Sequence, residues 1–105
     1  MSDESQVVVP PSFIALFMSP GRGKPQASRQ EIAERHEFCE DLANLLTEHA
    51  RTKLWELGVA EEDVLERIHR GLCAGASGVS AAEAAWVTGR LAELLGWPWP
   101  VPGPA

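Results

Sequence analysis

From Arg29 to Leu57 the chain runs for 29 residues without a proline or a glycine. Immediately before it, "SRQE" (Ser28 to Glu31) has the form of a capping box. The Ser28 hydroxyl can accept from the Glu31 backbone N–H while the Glu31 carboxylate reaches back. Immediately after it, Gly58 can supply the left-handed residue that ends a helix. One helix of this length would extend about 44 Å. In a chain of 105 residues, which is one domain at most, little else remains to cover it.

What remains reads as shorter helices and irregular segments. A second helix is expected over 61–73, with Glu61, Glu62 and Asp63 stacked at its positive end. Ala60 is a poor cap, so that start is weakly specified. "AGASG" breaks the chain, "SAAE" (Ser80 to Glu83) is a second capping box, and a third helix follows over 81–95 before Gly96. "WPWPVPGPA" (97–105) cannot continue as helix and reads as an extended, polyproline-like tail. At the other end, 1–9 form a polar, flexible lead. "PPSFIALFMSPG" then offers one or two helical turns, with Pro11 suited to a first helical position. A short extended segment is the alternative there, since periodicity does not decide over so few residues. Residues 19–27 are a Gly/Pro-rich loop. The expected fold is all-α: a small helical bundle with one long helix, two shorter helices, a short N-terminal apolar segment and an extended Trp/Pro tail. Residues 10–96 form its single helical domain. Roughly 70 orderable residues make a core that usually needs tight packing, a staple or a partner.

Charge narrows the function classes. The formal net charge is −6, and the nine Lys and Arg residues are scattered along the chain. Phosphate binding depends on clustered cations, so nucleic acid is an unsuitable partner, and an anionic membrane surface fails for the same reason. No stretch approaches the roughly 20 apolar residues of a membrane span. "MSDES" is acidic where a secretory signal would be basic. The two cysteines, Cys39 and Cys73, fall inside expected helices rather than at disulfide-scaffold spacings. A cytoplasmic, reducing setting is the simplest reading.

The long helix carries an anomaly. At about 100° per residue, Ile32, Cys39, Leu46, Ala50 and Leu57 align, flanked by Leu54 and Ala43 on one side and Phe38, Leu42 and Leu45 on the other. That apolar face is nearly half the cylinder, which suits packing against two or more elements. Trp55 lies opposite, among Glu37, Asn44, Glu48 and Arg51. In the third helix Ala84, Val87, Leu91, Leu94 and Leu95 define the stripe, and Trp86 stands off its centre beside Arg90 and Glu93. Trp97 and Trp99 are in the tail. The core stripes therefore claim none of the four tryptophans. The plainer explanation is that the terminal segments fold back over them. The sharper one is that Trp55, Trp86, Trp97 and Trp99 are anchors for a protein partner or a second copy of the chain, because Trp is enriched at interface hot spots. A homodimer satisfies both.

Candidate chemistry is sparse. His36 and Cys39 are three apart, His69 and Cys73 four apart, and each pair shares a helical face. Together they could form a tetrahedral zinc site. Against this, Cys39 projects into the apolar stripe, where a thiol acts as a small hydrophobe, and such spacings arise readily by chance. A Cys39–Cys73 disulfide would need Cα atoms roughly 4.4–6.8 Å apart, and a burial-raised thiol pKa would make both cysteines sluggish. His49, between Leu42 and Leu45 on the apolar side, is expected as a core or core-margin histidine. "GRGKP" (Gly21 to Pro25) lacks the Gly spacing, the Ser/Thr and the strand–helix context of a P-loop, and reads as a basic loop. The second and third helices do not make a DNA-reading pair, since Arg90 is the sole cation of the third. No catalytic residue, cofactor or metal is assigned.

Along "PPSFIALFMSPGRGKP", "CEDLANLLTEHARTKLWELG", "DVLERIHRGL" and "WVTGRLAELLGW", the chain resembles a group of short, functionally uncharacterised bacterial proteins, some labelled "ATPase with chaperone activity". The sequence has neither a Walker A nor a Walker B motif, and too little length for an ATP-hydrolysing core. What the resemblance implies is therefore association with a chaperone-type ATPase rather than hydrolysis. The function expected is that of a non-catalytic cytoplasmic interaction or adaptor protein, self-associating or chaperone-associated. A metal-binding or thiol redox-sensing helical protein is the alternative.

Overall fold

A computed structural model of the chain describes residues 8–18, 27–75 and 77–99. The N-terminal lead over 1–9 and the segment 19–27, including Gly21 to Pro25, fall largely outside these residues, as does most of the Pro-rich tail. The fold is all-α. Helix α1 spans Pro11–Ile14 and continues as a 3₁₀ turn over Ala15–Phe17; α2 spans Arg29–Leu57, α3 Glu61–Cys73 and α4 Ala81–Leu95.

Local chemistry accounts for these boundaries. At α2 the Glu31 N–H donates to Ser28 Oγ at 3.0 Å and the Ser28 N–H to Glu31 Oε1 at 2.8 Å. The same reciprocal pair opens α4, at 3.0 Å and 2.9 Å between Ser80 and Glu83. Each box satisfies two N–H groups that the helix itself leaves unpaired. Ala60 caps α3 with no side-chain bond, so the acids of the first turn hold that end through the helix dipole. Gly58, at φ +64°, donates to the Leu54 carbonyl at 3.0 Å and ends α2. Gly96, at φ +73°, ends α4 with Trp97 N–H donating to Ala92 O and Gly96 N–H to Glu93 O, a Schellman arrangement.

The chain divides into two compact units, Met1–Phe38 and Cys39–Ala105. In the first, the N-terminal apolar segment resolves as helix rather than strand. Pro11 occupies the first helical position, where its missing N–H costs nothing. Phe13 is fully buried, with its ring 5.5 Å from Phe17 and 5.4 Å, edge-on, from His36. Ile32 is buried as well. This segment therefore folds back on the start of α2, and His36 belongs to that packing.

In the second unit α3 pairs with α4. The large core side chains come from these two short helices: Val64, Leu65, Ile68 and Leu72, then Val87 and Leu91. The long helix contributes small ones, Cys39, Ala43 and Ala50. Thr88 is buried in α4 and satisfies its hydroxyl on the Ala84 carbonyl at 2.8 Å. Among the described residues no buried side-chain nitrogen or oxygen lacks a partner. Arg90 of α4 clamps Glu40 of α2 through Nε at 2.9 Å and Nη2 at 2.9 Å, and it reaches Glu93 through Nη1 at 3.1 Å. Hydrogen bonding to Glu40 holds the guanidinium above its already high ordinary pKa, against the opposite pull of desolvation.

The wide apolar face expected on α2 is only partly used. Cys39, Ala43 and Ala50 are buried and Leu46 and Leu54 half-buried, but Phe38, Leu45 and Leu57 are exposed. His49, expected at the core margin, is exposed too. The reason is geometric. Helices of 13 and 15 residues are each about 20 Å long, and in the second unit the α2 residues buried with them are the small Cys39, Ala43 and Ala50. Among the described residues no helix is long and apolar enough to cross a membrane.

Candidate functional site

Three of the exposed large apolar side chains, Leu45, Trp55 and Leu57, stand on the C-terminal half of α2. Trp55 is 87% exposed and Leu45 76% exposed. Trp55 follows Lys53 by two residues, so at about 100° per residue it projects on roughly the opposite side of the helix. Arg51, Thr52 and Glu56 around it are also exposed. The sequence position that looked anomalous is thus an indole held in water by a helix whose register is set at both ends.

Between α2 and α3 lies a groove of about 400 Å³. Its apolar lining is Leu46 and Leu57 from α2 and Val64, Ile68 and Leu72 from α3. Gly71 leaves a gap in the α3 wall, where an added Cβ would meet nothing within 4 Å. The polar lining residues are His49, Lys53 and Arg67, so every ionisable group lining the groove is basic. Lys53 sits 3.4 Å from Glu56, with both side chains solvated. No hydrogen bond or ion pair engages the Arg67 side chain among the described residues. Sequence reading missed this site because it sought basic stripes on single helices. Here two helices each supply one rim, and the pairing of Lys53 with Arg67 exists only after the chain reverses through residues 58–60.

The other tryptophans are half-buried. Trp99 places its ring 6.4 Å from that of His69 on α3, so the start of the tail returns over the second unit. Trp97 donates its backbone N–H in the Gly96 cap. The start of the tail therefore returns Trp99 to α3, while Trp55 stays 87% exposed.

Of the four candidate ligands, His69 and Cys73 do meet, with Nε2 and Sγ at 3.6 Å. His36 is buried edge-on to Phe13, and Cys39 is buried whereas Cys73 is exposed. Among the described residues no three His, Cys, Asp or Glu side chains are grouped so as to hold a metal ion. The chemistry present among the described residues is thus a Cys–His pair on α3, with Cys73 exposed and His69 half-buried, and an apolar groove lined by cationic residues. Comparisons with protein families, with curated proteins and with solved structures return no match.

Proposed function

We propose that this chain is a non-catalytic interaction or adaptor protein, working in the cytoplasm, that engages a protein partner or a second copy of itself through the C-terminal half of α2. The observation that carries the reading is the exposure of Trp55, supported by that of Leu45. An indole can bury roughly 150–250 Å², and truncating such a ring at an interface often costs about 2 kcal/mol or more. The short helices and the returning tail leave this surface open, which is the condition a docking surface must meet. Under the resemblance noted above, the partner is a chaperone-type ATPase.

The experiment is a solution mass measurement on protein purified under native conditions, alongside a co-purification screen, comparing wild type with Trp55→Ala/Leu45→Ser. Both positions are exposed, so the variant folds. The reading expects self-association or a stoichiometric partner that the variant loses. Identical behaviour of the two proteins, each a bare monomer, contradicts it.

A second reading, metal or thiol chemistry, has the 3.6 Å contact of His69 with Cys73 behind it. Elemental analysis of protein prepared without chelator tests it. Bound zinc lost on Cys73→Ser supports this reading, and absence of zinc together with no thermal shift on adding it removes the metal form.

A further inference from the structure

We infer that the groove between α2 and α3 is a docking site for an acidic amphipathic helix of a partner protein. This rests on the interaction reading above and adds the chemistry of the partner. Along α2 the lining runs from Leu46 to Leu57, about 16 Å at the helical rise. On α3 it runs from Val64 to Leu72, about 12 Å. A trough of that length between two helices accepts a row of side chains at i, i+4 and i+7 from a third helix.

Charge selects the occupant. The protein is acidic overall, at −6, yet the residues lining the groove include Lys53 and His49 on α2, Arg67 on α3, and no carboxylate; Glu56, outside the lining, reaches Lys53 at 3.4 Å across solvated side chains, a contact a partner's carboxylate can replace. These basic groups stand midway along the trough. Along α2 the basic lining residues are bracketed by Leu46 and Leu57, and along α3 Arg67 is bracketed by Val64 and Leu72. A single-headed amphiphile such as a fatty acid would put its carboxylate at one end only. A helix with an apolar row and Asp or Glu on both shoulders places anions against both rims at mid-length. A second copy does not supply this helix from α3: its apolar row of Val64, Leu65, Ile68 and Leu72 is already buried. The cationic rims then set register and exclude basic partners, while the leucine-type floor holds the anchors.

The test is fluorescence anisotropy with a labelled helical peptide carrying Leu at i, i+4, i+7 and i+11 and Glu on both shoulders. A matched peptide with Lys in place of Glu is the control, and the full chain is the binder. The account expects saturable binding of the acidic peptide that weakens as salt rises, and none of the basic one. Lys53→Glu/Arg67→Glu, verified as folded by circular dichroism, should weaken the acidic peptide about tenfold or more and admit the basic one. Gly71→Leu, which adds a side chain in open space at the groove wall, should weaken it without a charge change. Equal binding of both peptides, no binding, or indifference to the charge reversal overturns the proposal. So does displacement of the peptide by decanoate through Arg67, which would assign the groove to a small anionic amphiphile. If the peptide fails while Trp55→Ala/Leu45→Ser still abolishes assembly, the partner class is wrong and the interaction reading stands.

Discussion

Arg90 and Glu40, 50 positions apart in the chain, meet in a two-pronged pair with Nε and Nη2 both at 2.9 Å from the carboxylate oxygens. Their side chains are 34% and 26% exposed. The pair ties α4 to the middle of α2, where α2 gives the core only small side chains. Fork geometry and partial shelter place it above an ordinary surface ion pair. Arg90→Met should therefore cost about 1–2 kcal/mol in urea unfolding, and a double-mutant cycle with Glu40→Gln should return a favourable coupling. The guanidinium pKa is raised in the folded state. Its contribution is present below its ordinary value and is lost only as pH climbs through the still higher folded value. The Arg90→Met deficit should therefore stay constant from neutral to mildly alkaline pH.

Core and surface leucines should separate cleanly. Leu65 is fully buried, whereas Leu45 stands in solvent on α2. Leu65→Ala should cost about 2–5 kcal/mol through lost burial and a residual cavity. Leu45→Ala should fall within about 0.5 kcal/mol for the isolated chain. Denaturant midpoints of the two variants decide this.

Glycines divide by backbone conformation. Gly89 lies inside α4 with nothing within 4 Å of an added Cβ, so Gly89→Ala should stabilise by about 0.5–1 kcal/mol. Gly96 ends the same helix at φ +73°, where a Cβ is strained, so Gly96→Ala should destabilise by about 1 kcal/mol. Opposite shifts of melting temperature are the expected result.

The cysteines should react unequally. Cys73 is exposed and lies 3.6 Å from His69, and Cys39 is buried. Under native conditions a maleimide should label Cys73 and spare Cys39 until the chain is unfolded. Peptide mass mapping reads this directly.

The helices were legible because their ends are written locally. Ser28 with Glu31, Ser80 with Glu83, and the two terminal glycines specify starts and stops without help from tertiary structure. The all-α class followed from the same signals. Exposure was less legible. Leu45, Leu57 and His49 share the apolar side of the α2 wheel, but a wheel cannot say how many neighbours arrive to cover it. Phe13 shows the converse: a short segment without clear periodicity supplies a fully buried ring. The groove was illegible for a different reason. Lys53 and Arg67 are unremarkable on their own helices, and only the turn at residues 58–60 makes them opposite rims of one trough. The clamp of Arg90 on Glu40 joins positions that no local pattern links.

The most direct measurement is site-specific photo-crosslinking from position 55, with position 62, exposed in the first turn of α3, as control. In the native cell the account predicts one discrete adduct from position 55, mapped to a defined partner or a second copy, that disappears with Leu45→Ser. No adduct from position 55 beyond that from position 62 would contradict it, because the exposed indole would then have nothing to meet.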